Sequence, residues 1–208
     1  SVVGGRWSVI RRWSFVIPLL VPPFLISWGA ALLIPYLNLY FKERFSVPDA
    51  TLGAIFAVLG IATGGAALAG PLLSSRIGKV GTIIISQALS IPFLLLLGWS
   101  PWLAVAVGAA LMRGALFNMG SPLYDAFAME RSDAATRPIV IGLINGAYTA
   151  GYLIAPEIST AIQVEYGFGP LFVVTALFYT AAVIATFILF GRTTLFRSLR
   201  RSEIPTEP

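Results

Sequence analysis

Six stretches of this chain run for about twenty residues or more almost without charge, and nothing else in it limits the possible folds so strongly. They cover approximately Trp13–Phe41, Ala50–Leu73, Val80–Trp99, Trp102–Tyr124, Pro138–Gln163 and Phe168–Gly191, with only Arg113 and Glu157 charged inside them. The hydrocarbon layer of a bilayer is ~30 Å thick and a helix rises ~1.5 Å per residue, so each stretch is long enough to cross it. Apolar residues make up 57% of the chain and charged residues 11%. Soluble domains run at roughly 45–50% and 25%, which makes lipid the solvent here. The spans are so closely spaced that no separate soluble domain fits between them.

Each span is expected to be a helix. An isolated strand in hydrocarbon leaves its backbone N–H and C=O groups unpaired, at several kcal/mol each. The runs also lack the short in-out alternation of barrel strands. Pro18, Pro22, Pro23, Pro35, Pro92, Gly60, Gly64 and Gly151 lie inside them, as membrane helices tolerate.

The cations divide unevenly between the two sides. Arg6, Arg11, Arg12, Arg76, Lys79, Arg131, Arg137, Arg192, Arg197, Arg200 and Arg201 fall on the side of the termini, and only Lys42 and Arg44 on the other. By the positive-inside rule both termini are cytoplasmic. The net charge of +5 is thereby read as membrane orientation, with no nucleic acid among the partners. The expected layout is the end of a cytoplasmic linker over residues 1–12, a six-helix transmembrane domain over 13–191 and a cytoplasmic tail over 192–208.

The chain has no histidine and no cysteine. It therefore cannot supply the usual zinc, haem or iron–sulfur ligands, a Ser-His dyad or a thiol nucleophile, and no cofactor or metal is expected. Spans two and five carry small residues at helical spacing, Gly60 and Gly64 in one, Gly142, Gly146 and Ala150 in the other, with Ala147 and Gly151 beside them. Such stripes predict close helix–helix approach. "GIATGGAALAGP" (60–71) and "GAYTAGYLIAP" (146–156) also echo each other three spans apart, as related repeats would. The short links "GWSP" and "EYGFG" predict antiparallel neighbours on either side of each.

Six spans with both ends inside, the basic loop "GPLLSSRIGKVG" between the second and third, and "MERSDAATRPIVIGLINGAYTAGYLIAP" leading into the fifth resemble the C-terminal half of a major facilitator superfamily (MFS) transporter. The likeness runs from about Trp13 to Gly191. That family's loop signature is Gly-x-Leu-x-Asp-Arg-x-Gly-Arg/Lys. Leu73, Arg76, Gly78 and Lys79 match it, while Pro71 and Ser75 stand where the family has Gly and Asp. The resemblance implies an all-α membrane protein, a six-helix half-transporter bundle built as a 3+3 repeat. It also implies a partner, either an N-terminal six-helix half or a second copy of this chain, in a lipid bilayer taken to be the bacterial inner (plasma) membrane.

In such a half the first and fourth spans line a central cavity. Arg113, on the fourth, lies about 16 Å in from Trp102, near the middle of the membrane. It shares a helix face with Trp102, Ala106, Ala109, Phe117, Gly120 and Tyr124. A central arginine costs ~2.5–3.5 kcal/mol, so it is expected to face water or a partner, not lipid. A neighbouring carboxylate would give it a purely structural role. Span one offers Ser27, Ala31 and Asn38, with Tyr36 and Tyr40 at the membrane interface. Span five offers Asn145, Tyr148, Thr149, Tyr152 and Ser159, a face equally suited to interhelical hydrogen bonds. The candidate substrate-binding residues are thus Arg113, Phe117, Tyr124, Asn38, Ser27, Asn145 and Tyr152. Glu157 is the candidate coupling group or counter-charge to Arg113, with the proton as coupling ion. Asp125 is expected to pair with Arg131 or Arg137 at the surface.

The resulting expectation is alternating-access transport of a small organic solute, with export favoured. A non-transporting scaffold or receptor on the same bundle is the alternative. An intramembrane enzyme is a distant third, since no His and no paired buried aspartates support it.

Overall fold

In a computed structural model of the protein, residues 2–191 apart from Ala135 are described, with side chains from Val16 onward. The tail expected at 192–208 lies outside the described residues. The helices are α1 (Val2–Leu33), α2 (Leu37–Phe45), α3 (Asp49–Ile77), α4 (Lys79–Trp99), α5 (Leu103–Glu130), α6 (Arg137–Tyr166) and α7 (Gly169–Thr186), the last continued by a π-helical turn, Phe187–Gly191.

Six spans result, because α1 and α2 together make one: Val16–Phe45, Asp49–Ile77, Lys79–Trp99, Leu103–Glu130, Arg137–Tyr166 and Gly169–Gly191 are each long and apolar enough to cross a membrane. The first is broken by a single 3₁₀ turn, Ile34–Tyr36, built around Pro35. Proline has no N–H to give the helix and its ring crowds the preceding turn, so the backbone tightens there and restarts at Leu37. Backbone helix also continues from Val2 into the span, through the basic stretch expected to be linker. The spans run a few residues past their apolar limits, since polar residues at a helix end still complete the backbone hydrogen bonds.

The helices pack in a definite order. Span one lies against α6 and α7, span four (α5) against α3 and α4, and α4 against α7. The links "GWSP" and "EYGFG" have different outcomes. The α4–α5 pair is packed along its length, whereas α6 and α7 rest mainly on α1 and touch each other little.

Two apolar clusters fill the bundle. One gathers Leu19, Val80, Ile83, Tyr124, Phe127, Val140, Ile144 and Phe190 at the end where the described chain begins and finishes, here called the terminal end. The other runs from Tyr40, Phe41, Leu97 and Phe172 at the opposite end inward to Phe117 and Tyr179. Tyr40 is not a simple interfacial tyrosine. It is buried, donates to the Leu97 carbonyl at 2.8 Å and meets the rings of Phe41, Phe45, Phe168 and Phe172. Tyr36 donates to the Pro156 carbonyl at 3.2 Å, tying span one to span five.

Of the glycines in the small-residue sets of α3 and α6, Gly151 sits where helices meet, whereas Gly60, Gly64, Gly142 and Gly146 do not. A methyl group built on Gly60, Gly64, Gly142 or Gly146 would find nothing within 4 Å. The close crossings on these two helices lie at Gly151 and at Gly70, which the spacing did not single out. On α6, a Cβ at Gly151 would stand 2.6 Å from the backbone of Ser27; on α3, one at Gly70 would stand 2.7 Å from the Met119 carbonyl oxygen. Small-residue spacing alone does not say which face meets a neighbour, and here the faces of α3 and α6 holding the other glycines are left bare.

Candidate functional site

Arg113 is buried, 7% exposed, on the inward face of α5. Its Nη2 donates to the hydroxyl of Tyr179 on α7 at 2.6 Å. Its guanidinium carbon lies 5.0 Å from the ring centre of Phe117 and 5.5 Å from that of Tyr179. Those two rings stack on each other with centres 4.8 Å apart. A guanidinium is a weakly hydrated, planar cation, and aromatic faces attract it through their quadrupoles.

The partner is therefore a phenol and two rings, not a carboxylate. Among the described residues the ion pairs are Lys42–Asp49, at 2.7 Å, and Lys79–Glu130; Arg113 takes part in neither. Its Nε is buried without a hydrogen-bond partner. Gly29 makes room for the cluster on span one, since a Cβ there would lie 3.2 Å from the Tyr179 ring. Thr175 fixes the same crossing by donating to the Gly29 carbonyl at 2.9 Å. Tyr152, on α6, lies within electrostatic reach of both Arg113 and Tyr179 and is 42% exposed, so the cluster extends to the bundle surface there.

The other candidates separate into two groups. Ser27 and Tyr124 are buried and committed to holding helices together. Ser27 Oγ accepts from the Gly151 amide at 2.8 Å, and Tyr124 donates to the Leu19 carbonyl at 2.8 Å. Asn38 and Asn145 are exposed. Asn38 Oδ1 accepts from the Leu39 amide, while the Asn145 carbonyl accepts from Thr149. Glu157 is also exposed and makes no ion pair among the described residues. The loop residues Leu73, Arg76, Gly78 and Lys79 lie at the α3–α4 turn, where Gly78 has a φ of 77° and Lys79 pairs with Glu130 across to the end of α5.

Asp125 differs from its expectation. Arg131 lies over the Phe127 ring at 4.7 Å, and Arg137 donates to the carbonyls of Met129 and Ser132. Neither pairs with Asp125. The reason is the length of α5, which continues to Glu130 and so places Asp125 inside the helix instead of at its end. Three buried side-chain polar atoms lack a partner among the described residues: Arg113 Nε, Asp125 Oδ1 and Trp28 Nε1. Tyr179 is the site residue that sequence reasoning missed. Nothing in the local pattern "TALFYTAAV" around Tyr179 distinguishes it from a core tyrosine.

The family model for the major facilitator superfamily matches residues 23–205. No curated protein matches the chain. Six membrane-length helices and a family match over most of the 208 residues agree on an integral membrane protein that forms a six-helix transporter half, and the chain belongs to the major facilitator superfamily.

Proposed function

We propose that this chain is the C-terminal half of a transporter that moves a small organic solute by alternating access, with Arg113 at the centre of the solute site. The observation that carries the reading is a buried guanidinium near mid-membrane that no carboxylate neutralises. A cation in hydrocarbon without a counter-charge is retained where it faces a pathway or a ligand. The unpartnered buried donor of Arg113 favours a solute with acceptor oxygens, and Phe117, Tyr179 and Tyr152 suit one that also has an apolar body. Ser27 and Tyr124 hold helices of the bundle together, and Asn38 and Asn145 lie on its exposed faces.

The order of packing supports a 3+3 repeat. Exchanging spans one, two and three for four, five and six turns the contact of α1 with α6 into that of α5 with α3, the contact of α1 with α7 into that of α5 with α4, and returns α4 with α7 to itself. The bare faces of α3 and α6 support a second half, either the N-terminal one or another copy, docked over them. The excess of cations on the terminal side supports cytoplasmic termini, as in a bacterial inner membrane.

Vesicles containing the chain assembled with its partner half test this. Loaded with a panel of fluorescent organic acids, they should move at least one faster than protein-free vesicles. Arg113→Ala should lose that flux with membrane insertion unchanged. Undiminished flux in the variant would reject the role of Arg113. Saturable binding of the same acids with no flux in the parent would favour a receptor or scaffold.

A further inference from the structure

Given the reading above that Arg113 is the solute site, we infer that the solute is a monovalent organic oxyanion, one carboxylate or its equivalent on an apolar body, in preference to a neutral or doubly charged molecule. The three nitrogens of the guanidinium are unequally used. Nη2 alone has a hydrogen-bond partner among the described residues, the Tyr179 hydroxyl, while Nε is buried with none. Arginine offers five N–H donors and no acceptor, so its open positions can be filled only by acceptor atoms.

The aromatic neighbours leave room for such atoms. The guanidinium carbon and the centres of the Phe117 and Tyr179 rings lie 5.0, 5.5 and 4.8 Å apart, a nearly equilateral triangle. A cation sandwiched between two rings would lie on the line joining their centres. This one lies beside the stack, so the rings cover it from one side. With the exposed Tyr152 they surround the cation with aromatic surface that an apolar body can cover.

Charge decides the class. A buried cation without a counter-ion is costly, and an anion that brings one negative charge cancels it, whereas a neutral acceptor does not. A second negative charge would find no cation of this chain at that depth. The other cations with described side chains stand at the two ends, Lys42 and Arg44 at one, Arg76, Lys79, Arg131 and Arg137 at the other. Arg12 on α1 precedes Gly29, the residue that packs on Tyr179, by seventeen residues, about 25 Å along the helix. Span six runs twelve residues past Tyr179 to Gly191 before the next arginine in the sequence. A phospholipid phosphate is also a monovalent oxyanion on an apolar body, but headgroups stand at the membrane surface, about 15 Å from the middle of the hydrocarbon.

Equilibrium dialysis of four naphthalene probes tests this, with the chain assembled with its partner half in phosphatidylcholine vesicles and protein-free vesicles subtracted. Naphthoate and naphthalenesulfonate carry one charge each. They should bind at least about tenfold more tightly than neutral naphthamide or doubly charged naphthalenedicarboxylate. Arg113→Gln keeps amide donors without the charge, and should bring naphthoate and naphthamide to within about twofold of each other. Competition in the parent protein needs no variant to fold. Naphthalenesulfonate should displace naphthoate, and naphthamide at the same concentration should not. Anionic phosphatidylglycerol added to the vesicles should leave naphthoate binding unchanged at an ionic strength that screens the surface charge.

Equal affinity for naphthoate and naphthamide, equal affinity for the singly and doubly charged acids, a preference that survives Arg113→Gln, or no binding of any probe would overturn the inference. So would displacement of naphthoate by phosphatidylglycerol, which would put a lipid phosphate on the site. If the monoanions bind as stated but the vesicles do not move them, the charge assignment stands and the transport reading fails. If the vesicles move naphthamide by an Arg113-dependent route and bind the anions no better, the transport reading stands and the charge assignment fails.

Discussion

Arg113 on span four and Tyr179 on span six meet through a 2.6 Å hydrogen bond from guanidinium to phenol, with the Tyr179 ring stacked on Phe117 beneath the same cation. The magnitudes balance. A hydrogen bond to a charged group contributes ~1.5–3 kcal/mol, and each ring contact ~0.5–2, against ~2.5–3.5 for placing the arginine at mid-membrane. The cluster thus makes the arginine tolerable without neutralising it, which is the property that the proposed solute site requires.

Tyr179→Phe separates the two parts of that stabilisation. The ring stack is kept and the hydrogen bond is lost, so stability should fall by about 1.5–3 kcal/mol. Unfolding in mixed micelles with increasing denaturing detergent reads the change. Tyr179→Leu should fall further, since both rings lose their stacking partner. Equal stability of the parent and the Phe variant would mean that Arg113 has another partner.

The glycines of α6 provide a second contrast. Gly151 lies against the Ser27 backbone, where even a methyl group would stand at 2.6 Å. Gly151→Val should therefore separate α1 from α6 and prevent stable folding of the bundle, an overpacking penalty of at least ~1–3 kcal/mol. Gly146 faces open space, and Gly146→Val should leave the isolated half as stable as the parent. If a partner half covers that face, the same Gly146 variant should weaken co-purification of the two halves. Similar tolerance at both positions would contradict the crossing described for Gly151.

Tyr40 and Tyr124 are predicted to act independently. Each donates to a backbone carbonyl of another span, Leu97 and Leu19 respectively, and they belong to different apolar clusters. Tyr40→Phe and Tyr124→Phe should each lower stability by about 0.5–1.5 kcal/mol. Because the sites are far apart, the double variant should show the sum to within ~0.5 kcal/mol. A clear excess over the sum would indicate that the two ends of the bundle unfold as one coupled unit.

Much of the fold was legible because hydrophobicity and length act locally. A run of apolar residues must become a helix in lipid whatever surrounds it, so the spans could be placed from composition alone. Which face of a helix meets which neighbour is a property of the assembled bundle. That is why Gly60, Gly64, Gly142 and Gly146 looked like packing positions and are open, while Gly151, beside them, and the unsuspected Gly70 bear the contacts. Arg113 stood out as a lone charge, but Tyr179 lies sixty-six residues further along, in a segment with no feature to connect them. Asp125 was misplaced for a smaller reason. The apolar run ends at Tyr124 while the helix continues to Glu130, and those extra residues carry the carboxylate into the bundle and away from Arg131 and Arg137.

The Lys79–Glu130 pair links the terminal ends of spans three and four, and Lys79 is also the last position of the loop signature. Its side chains are 32% and 63% exposed, so its contribution to stability is small, about 0–1 kcal/mol, and screened by salt. Lys79→Ala should therefore leave the folded bundle nearly as stable as before. The reversed pair, Lys79→Glu with Glu130→Lys, should restore whatever small loss Lys79→Glu alone produces, provided ionic strength is low. A larger role would appear as a change in the accessibility of the terminal end. Cysteines introduced one at a time at Ser75 and Met129 report this through their rates of maleimide labelling. If the pair holds that end shut, Lys79→Ala should raise those rates with unfolding unchanged, and added salt should do the same to the parent. Rates that respond to neither would limit Lys79 and Glu130 to an ordinary surface ion pair.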